Sequence, residues 1–533
     1  MLRCTLSTAL LLCMLTAAHP DASAQDRYGQ VEFATSCSAD AAATFNEAVA
    51  LLHHMMYDQS KALFQEVADA DCVMAQWGIA MTQLHPLWAP PSNEELALGG
   101  AAVDRARDLG GPTEREAAYI EAIAAFFETE GSFPVRLQAW EEGQAELHEQ
   151  YPDDVDAVAF HVLSQLATAP ADDPAFARQA AAGSITEKLL EDHPRHPGLI
   201  HYTIHAYDNP VLAGRGVDVA RGYDRIAPDV PHALHMPSHI FVRLGHWEDV
   251  ISWNHRSADA ALEHPVGERT SMHFPHAIDY LVYGYLQIGD DDAARSALSE
   301  LHVRDPYHPV LGAAYGLAAP PARLALERRD WPEAATLPVR EPASFPWSDF
   351  PAAESITWFA RGLGSAMEGN EVAAQEAVDR LNELHDALVQ ADEAYWAVHT
   401  DAQRVAVGSW MQYAAGQTGD ALEEMRSAAD LEDSVDKHPV TPSTVLPMRE
   451  LLGEMLLMME RPDEALQAFE AALKISPRRL NSLTGAARAA EMLEDRQTAA
   501  QYYGQVEEIL GGRSDADRPR MADTRAFLIG DRQ

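Results

Sequence analysis

The chain has 533 residues and carries 82 Asp and Glu against 39 Lys and Arg, a net charge of −43 at pH 7. A field of that sign repels nucleic acid and anionic membrane surfaces, which excludes both as partners and favours solubility or cation accumulation. Length alone would allow about three domains, but internal repeats give a better division.

The first residues have the layout of an export signal: Arg3, an apolar run from Thr5 to Ala18, and the small triplet Ala22-Ser23-Ala24 before Gln25. The run is too short to span a bilayer, and no later stretch approaches 18 uninterrupted apolar residues. The expectation is a signal peptide over 1–24 and a periplasmic or secreted mature chain. Of the four cysteines, Cys37 and Cys72 would remain, and an even pair in an oxidising compartment predicts a disulfide between them.

Sustained two-residue alternation is missing throughout, so the chain reads as all-α. Near its end, Leu452, Gly453, Ala465, Phe469, Ala472 and Pro477 fall where a tetratricopeptide repeat places its small and bulky packing residues. The unit recurs at 34 residues, with Ala499, Tyr503 and Val506 answering Ala465, Phe469 and Ala472. Weaker copies stand upstream in Ser60, Phe64 and Val67, in Gly245, Trp247, Val250, Asn254 and Ser257, and in Gly289, Ala294, Leu298 and Leu301. Each unit would be one helical hairpin whose apolar face is buried only by stacking on neighbours. Two proline-rich stretches, 337–351 and 436–447, cannot continue a helix. The expected organisation is a histidine-rich helical array over 25–336, a proline-rich linker over 337–351 and a second repeat array over 352–533.

Fourteen of the 23 histidines lie between His193 and His308, where even spreading would put about five. On a helix, His201, His205 and Asp208 stand at i, i+4 and i+7, within roughly 60° around the axis. Two imidazoles and a carboxylate on one face suit Zn, Fe, Mn or Cu. His232, His235 and His239 follow, interrupted by Pro237. That proline predicts a helix start, with His235 and Met236 in the segment entering it. His53, His85 and His276 are candidates for an outer rim, because equivalent positions on stacked hairpins line one concave wall. Trp77, Trp88, Met74 and Met81 are read as packing. The acid pairs Asp153-Asp154, Asp172-Asp173 and Asp290-Asp291-Asp292 are read as helix caps. Neither a nucleophile elbow nor a phosphate-cradling glycine loop nor a dinucleotide fingerprint occurs.

Four blocks, LLHHMMYDQSKALF, CVMAQWGIAMTQLHPLW, HPGLIHYTIHAYD and PHALHMPSHIFVRLGHW, together with the run from Arg449 to Glu491, resemble a family of secreted bacterial tetratricopeptide-repeat proteins. The resemblance covers nearly the whole mature chain. It implies a helical-repeat fold more than a reaction, and it places His53, His85, His201, His205, His232, His235 and His239, with Asp208, at motif positions. His54-Met55-Met56 and HFPHAIDYLVYGYLQ depart from the pattern, at the rim of the pocket.

Three functions compete. The leading one is a metal-binding pocket between the His201/His205/Asp208 helix and the His232–His239 segment. The second is a non-catalytic scaffold that takes a peptide or protein on its concave face. The third is a metal-dependent enzyme in which Asp208 or Asp279 activates water. Geometry separates the first two: ligands of one ion need nitrogens roughly 3–4 Å apart, whereas wall histidines each find their own carbonyl or carboxylate.

Overall fold

The computed structural model describes residues 27–68, 72–110, 113–170, 173–511, 513 and 518. The expected signal, residues 1–24, lies outside them, as do Asp71 and Asp172. The described residues form a succession of paired helices from Ala39–His53 to Arg496–Leu510, each packed on the next, with two isolated bridges and no strand. The chain is thus an all-α helical-hairpin repeat protein. Among the described residues no helix is long and apolar enough to cross a membrane.

The repeat positions work by close approach. A Cβ added to Gly453 or Gly485 would fall 2.8 or 2.3 Å from the Phe469 ring, so these glycines let one aromatic wedge between the Met448–Met458 and Leu480–Met492 helices. Gly78 does the same for Phe64 in the first hairpins, where its added Cβ would lie 2.4 Å from the ring. Ala465, Ala472, Ala499, Tyr503 and Val506 are all buried. The acids beside turns cap helices: Asp154 and Asp290 accept from the amides of Ala157 and Ala293, and Asp173 from those of Ala175 and Ala177.

Two large apolar cores result, beside a small one of Ala487, Ala490, Ala499 and Tyr503. One runs from Tyr28 to Ile288 and takes in Leu480, Leu483, Val506, Ile509 and Leu510 from the last repeats; the other runs from Ala258 to Ala489. Residues 337–351, expected as a linker, contribute Leu337, Phe345 and Trp347 to the second core. That core continues on either side of the stretch, and the two cores instead meet around 258–288.

The last repeats pack back onto the histidine window. Trp247 Nε1 donates to the Arg478 carbonyl at 3.0 Å, and the Leu480 amide to Gln287 Oε1 at 2.9 Å. Arg479 is enclosed between Glu327 and Glu450, all three side chains without exposed surface. At the other end Cys37 and Cys72 are joined as a disulfide, tying the entry to Ala39–His53 to the start of Val73–Met81.

Candidate metal centre

The Pro197–Tyr207 helix carries the first histidine pair. His196 caps it, its Nδ1 accepting from the Leu199 amide, and Pro197 supplies the preset first-turn geometry. Gly198 leaves room for His53, since a Cβ there would lie 2.5 Å from His53 Nδ1. One turn on, His201 Nδ1 donates to the His53 carbonyl at 2.6 Å, and His201 Nε2 and His205 Nε2 stand 3.1 Å apart.

The second pair departs from the sequence expectation. Pro231–His235 is itself a short helix, and Met236, expected to be extended before proline, has φ −51° and ψ −38°. The Met236 amide bonds the His232 carbonyl at 2.9 Å, and the His239 amide the Met236 carbonyl at 3.1 Å. Helical geometry therefore runs through the proline into Pro237–Leu244 and puts His232, His235 and His239 on one side. The amide that Pro237 lacks falls at a helix start, where it would have no intrahelical partner anyway.

Hydrogen-bond partners fix which nitrogen of each ring holds its proton. Asn254 Nδ2 donates to the Val250 carbonyl and to Ser238 Oγ, both at 2.7 Å, so its Oδ1 is an acceptor. His235 Nδ1, 2.8 Å from that oxygen, must be the donor. His239 Nδ1 likewise donates to Asp208 Oδ2 at 2.8 Å. Both Nε2 atoms then carry lone pairs, and they face each other at 3.0 Å with no proton between them. His201 is set the same way by the His53 carbonyl. Around these rings stand His232, with both nitrogens buried and unpartnered, and His276, with Nδ1 buried and unpartnered. A buried polar atom left unpaired costs about 1–3 kcal/mol, so such atoms call for a ligand.

The donor atoms of His201, His205 and His232 lie within 4.8 Å of one another, as do those of His235, His239 and His276. Burial first, then neighbouring imidazoles, keeps His201, His232, His235 and His276 well below the ordinary histidine range and takes His205 to about 3. At His201, His235 and His239 the N–H is anchored outward and the lone pair turned inward, which is what a late first-row cation requires.

Asp208, expected among the ligands, is instead enclosed by His239, Lys437 and Arg243. Its Oδ2 accepts from His239 Nδ1 and Lys437 Nζ, and its Oδ1 from Arg243 Nε. Burial opposes its charge, but Lys437 and Arg243 outweigh burial and hold the carboxyl well below its usual range. Arg243 also pairs with Asp436, which balances the cluster. Asp279, the other acid considered for activating water, is locked against Arg323 at 2.7 Å, with neither side chain exposed.

The outer candidates separate. His53 Nε2 donates to Asp156, which also receives His196 Nε2, while His53 Nδ1 accepts from the Tyr202 hydroxyl. Every nitrogen of that triad has a partner, so His53 serves the site through its backbone carbonyl alone. His85 rests on Tyr57 with Glu95 at 3.8 Å, and it is Trp88 from the same block that packs on His232 and His273. His276 does join the inner cluster. Lys437 and Asn254 were missed: one lies in the second array, and the other reads as an ordinary packing position of a repeat.

No family model and no curated protein matches the chain. Solved structures match over most of its length: IFIT1, in a monomeric mutant with m7Gppp-AAAA, at 12% identity, 91% of this chain, 99% of that chain and TM-score 0.37. The Cut9–Hcn1 hetero-tetramer of the APC/C matches at 14%, 92%, 90% and 0.32, and yeast Tom70 at 10%, 92%, 96% and 0.29. The likeness is long and loose, and the description of the fold rests on the geometry above.

Proposed function

We propose that this is an exported helical-repeat protein that binds a transition metal in the histidine pocket of its N-terminal array. One observation carries the metal: His235 Nε2 and His239 Nε2 are 3.0 Å apart, while the Nδ1 atoms of both rings are committed as donors to Asn254 and Asp208. Two neutral imidazoles cannot hydrogen-bond lone pair to lone pair, whereas a cation at about 2.0–2.1 Å from each relieves the contact. A groove wall would give every ring nitrogen a hydrogen-bond partner, as happens at His53 and His196, which share Asp156 Oδ1. Among Zn, Cu, Fe and Mn, an imidazole pocket without a ligating carboxylate favours Zn or Cu over Mn. Export is supported by the signal layout of residues 1–24 and by the Cys37–Cys72 disulfide, which persists in oxidising compartments.

The test is elemental analysis of untagged mature protein purified without chelator. Stoichiometric metal is expected, lost in the His201→Ala/His235→Ala double variant. Metal-free protein whose melting does not move when Zn, Cu, Fe or Mn is added would overturn the reading.

A further inference from the structure

The pocket is built twice from the same parts. His201 and His205, one turn apart on Pro197–Tyr207, are joined by His232 from the next helical segment; His235 and His239, again four apart, are joined by His276 from His273–Gln287. Each half brings two Nε2 atoms to 3.0–3.1 Å and adds a third ring with an unpartnered buried nitrogen. Donor atoms within each half lie inside 4.8 Å, and the two halves form separate groups. Opposed ligands on one ion are at most about 4.2 Å apart when each bond is about 2.1 Å, so six rings divided this way exceed what one ion can gather. The halves nevertheless touch: ring centroids of His205 and His239 are 5.8 Å apart, and those of His232 and His235 are 6.1 Å apart.

Resting on the metal-binding reading, we infer that the pocket is a dinuclear copper centre, with one ion in the His201/His205/His232 half and one in the His235/His239/His276 half. The donor set narrows the metal and charge decides it. All six donors are imidazoles, with neither thiolate nor carboxylate among them, which disfavours non-haem iron and leaves copper or a zinc ion held by three histidines. Two divalent ions would bring four positive charges, and the nearest carboxylate, Asp208, is already spent on Arg243 and Lys437. Copper halves that charge by entering as Cu(I), and as Cu(II) it heads the affinity order for nitrogen sites.

The test is a Cu(I) titration of the untagged mature chain against a colorimetric Cu(I) chelator. Two equivalents are expected in the wild type. One is expected in each half-pocket variant, His205→Ala/His232→Ala and His239→Ala/His276→Ala, with circular dichroism and melting used to confirm the fold. After oxidation with ferricyanide, two neighbouring Cu(II) ions couple, so the paramagnetic resonance signal should integrate to well under two spins per wild-type chain. Each half-pocket variant should give one full spin. A single equivalent in the wild type, or two uncoupled spins, overturns the pair even if a variant fails to fold. Two equivalents of zinc that copper cannot displace overturn copper. No metal at all is the failure of the underlying metal-binding reading.

Discussion

Lys437 Nζ stands 2.9 Å from Asp208 Oδ2, so a residue 229 positions along the chain closes the ion cluster that orients His239. Replacing Asp208 with Asn keeps the shape and removes the charge shared by Lys437, Arg243 and His239. Metal affinity should fall about 10–100-fold, the usual effect of losing a carboxylate behind a ligating imidazole. Competition with a calibrated chelator measures it, and an unchanged affinity would mean that His239 needs no such partner.

Asn254 should act through the proton of His235. Asn254→Leu removes the Oδ1 that holds the Nδ1–H and frees the ring to turn its proton inward. Metal affinity should drop about 10–100-fold, and Asn254→Asp, which keeps an acceptor, should recover most of the loss. Equal losses in the two variants would reduce the role of Asn254 to packing.

Buried histidines outside the His201/His205/His232 and His235/His239/His276 groups contribute to the acid response of the metal-free fold. Burial takes His399 to about 4, and His54 and His438 to about 3. The unfolded chain protonates near the ordinary 6.5, so as pH falls the unfolded state takes up protons first. The contribution of these histidines should be flat above pH 6.5 and decline from there toward pH 3–4, by up to about 1.4 kcal/mol per pH unit per histidine, partly offset by Glu432, which burial raises to about 8. Urea midpoints at pH 7.5 and pH 5 test this, and equal midpoints would contradict the burial of these rings.

Opening the disulfide should loosen the N-terminal hairpins without touching the histidine pocket. The bond closes a separation of 35 residues. Cys37→Ser/Cys72→Ser should lose roughly 2–4 kcal/mol in denaturant unfolding while the folded variant retains its metal. Metal loss from the folded variant would show that the N-terminal hairpins position His53 more tightly than its hydrogen bonds suggest.

Gly198→Ala tests the support behind His201. The new Cβ would meet His53 Nδ1 at 2.5 Å and displace the ring whose carbonyl holds the His201 Nδ1–H. Destabilisation of about 1–3 kcal/mol is expected from overpacking, with weaker metal binding.

The histidine pairs and the repeat fold were legible because helical spacing is local: i, i+4 pairs and the Gly453/Phe469 offsets state their geometry within a few residues. Asp208 misled for the same reason. Its spacing suits a ligand, but its surroundings are set by Lys437, 229 positions away, and by Arg243, 35 positions away. Met236 was read as extended because the proline rule considers one neighbour, whereas bonds from the helices on both sides hold it helical. The 337–351 stretch reads as a linker by proline count, yet Trp347 and Phe345 anchor it in a core whose members run from Ala258 to Ala489.

The packing of Trp247 against Arg478 and of Leu480 against Gln287 also fixes an order of assembly. A ribosome releases all six pocket histidines long before it releases Lys437, and Arg478 follows later still. The early chain can wind its first hairpins and pair Asp208 with Arg243 and His239, but Lys437 and Asp436, which complete the ion cluster, arrive only later. The cluster that orients His239 is therefore completed only when residues 436 and 437 have joined it, so one side of the histidine window stays unfinished until late in synthesis.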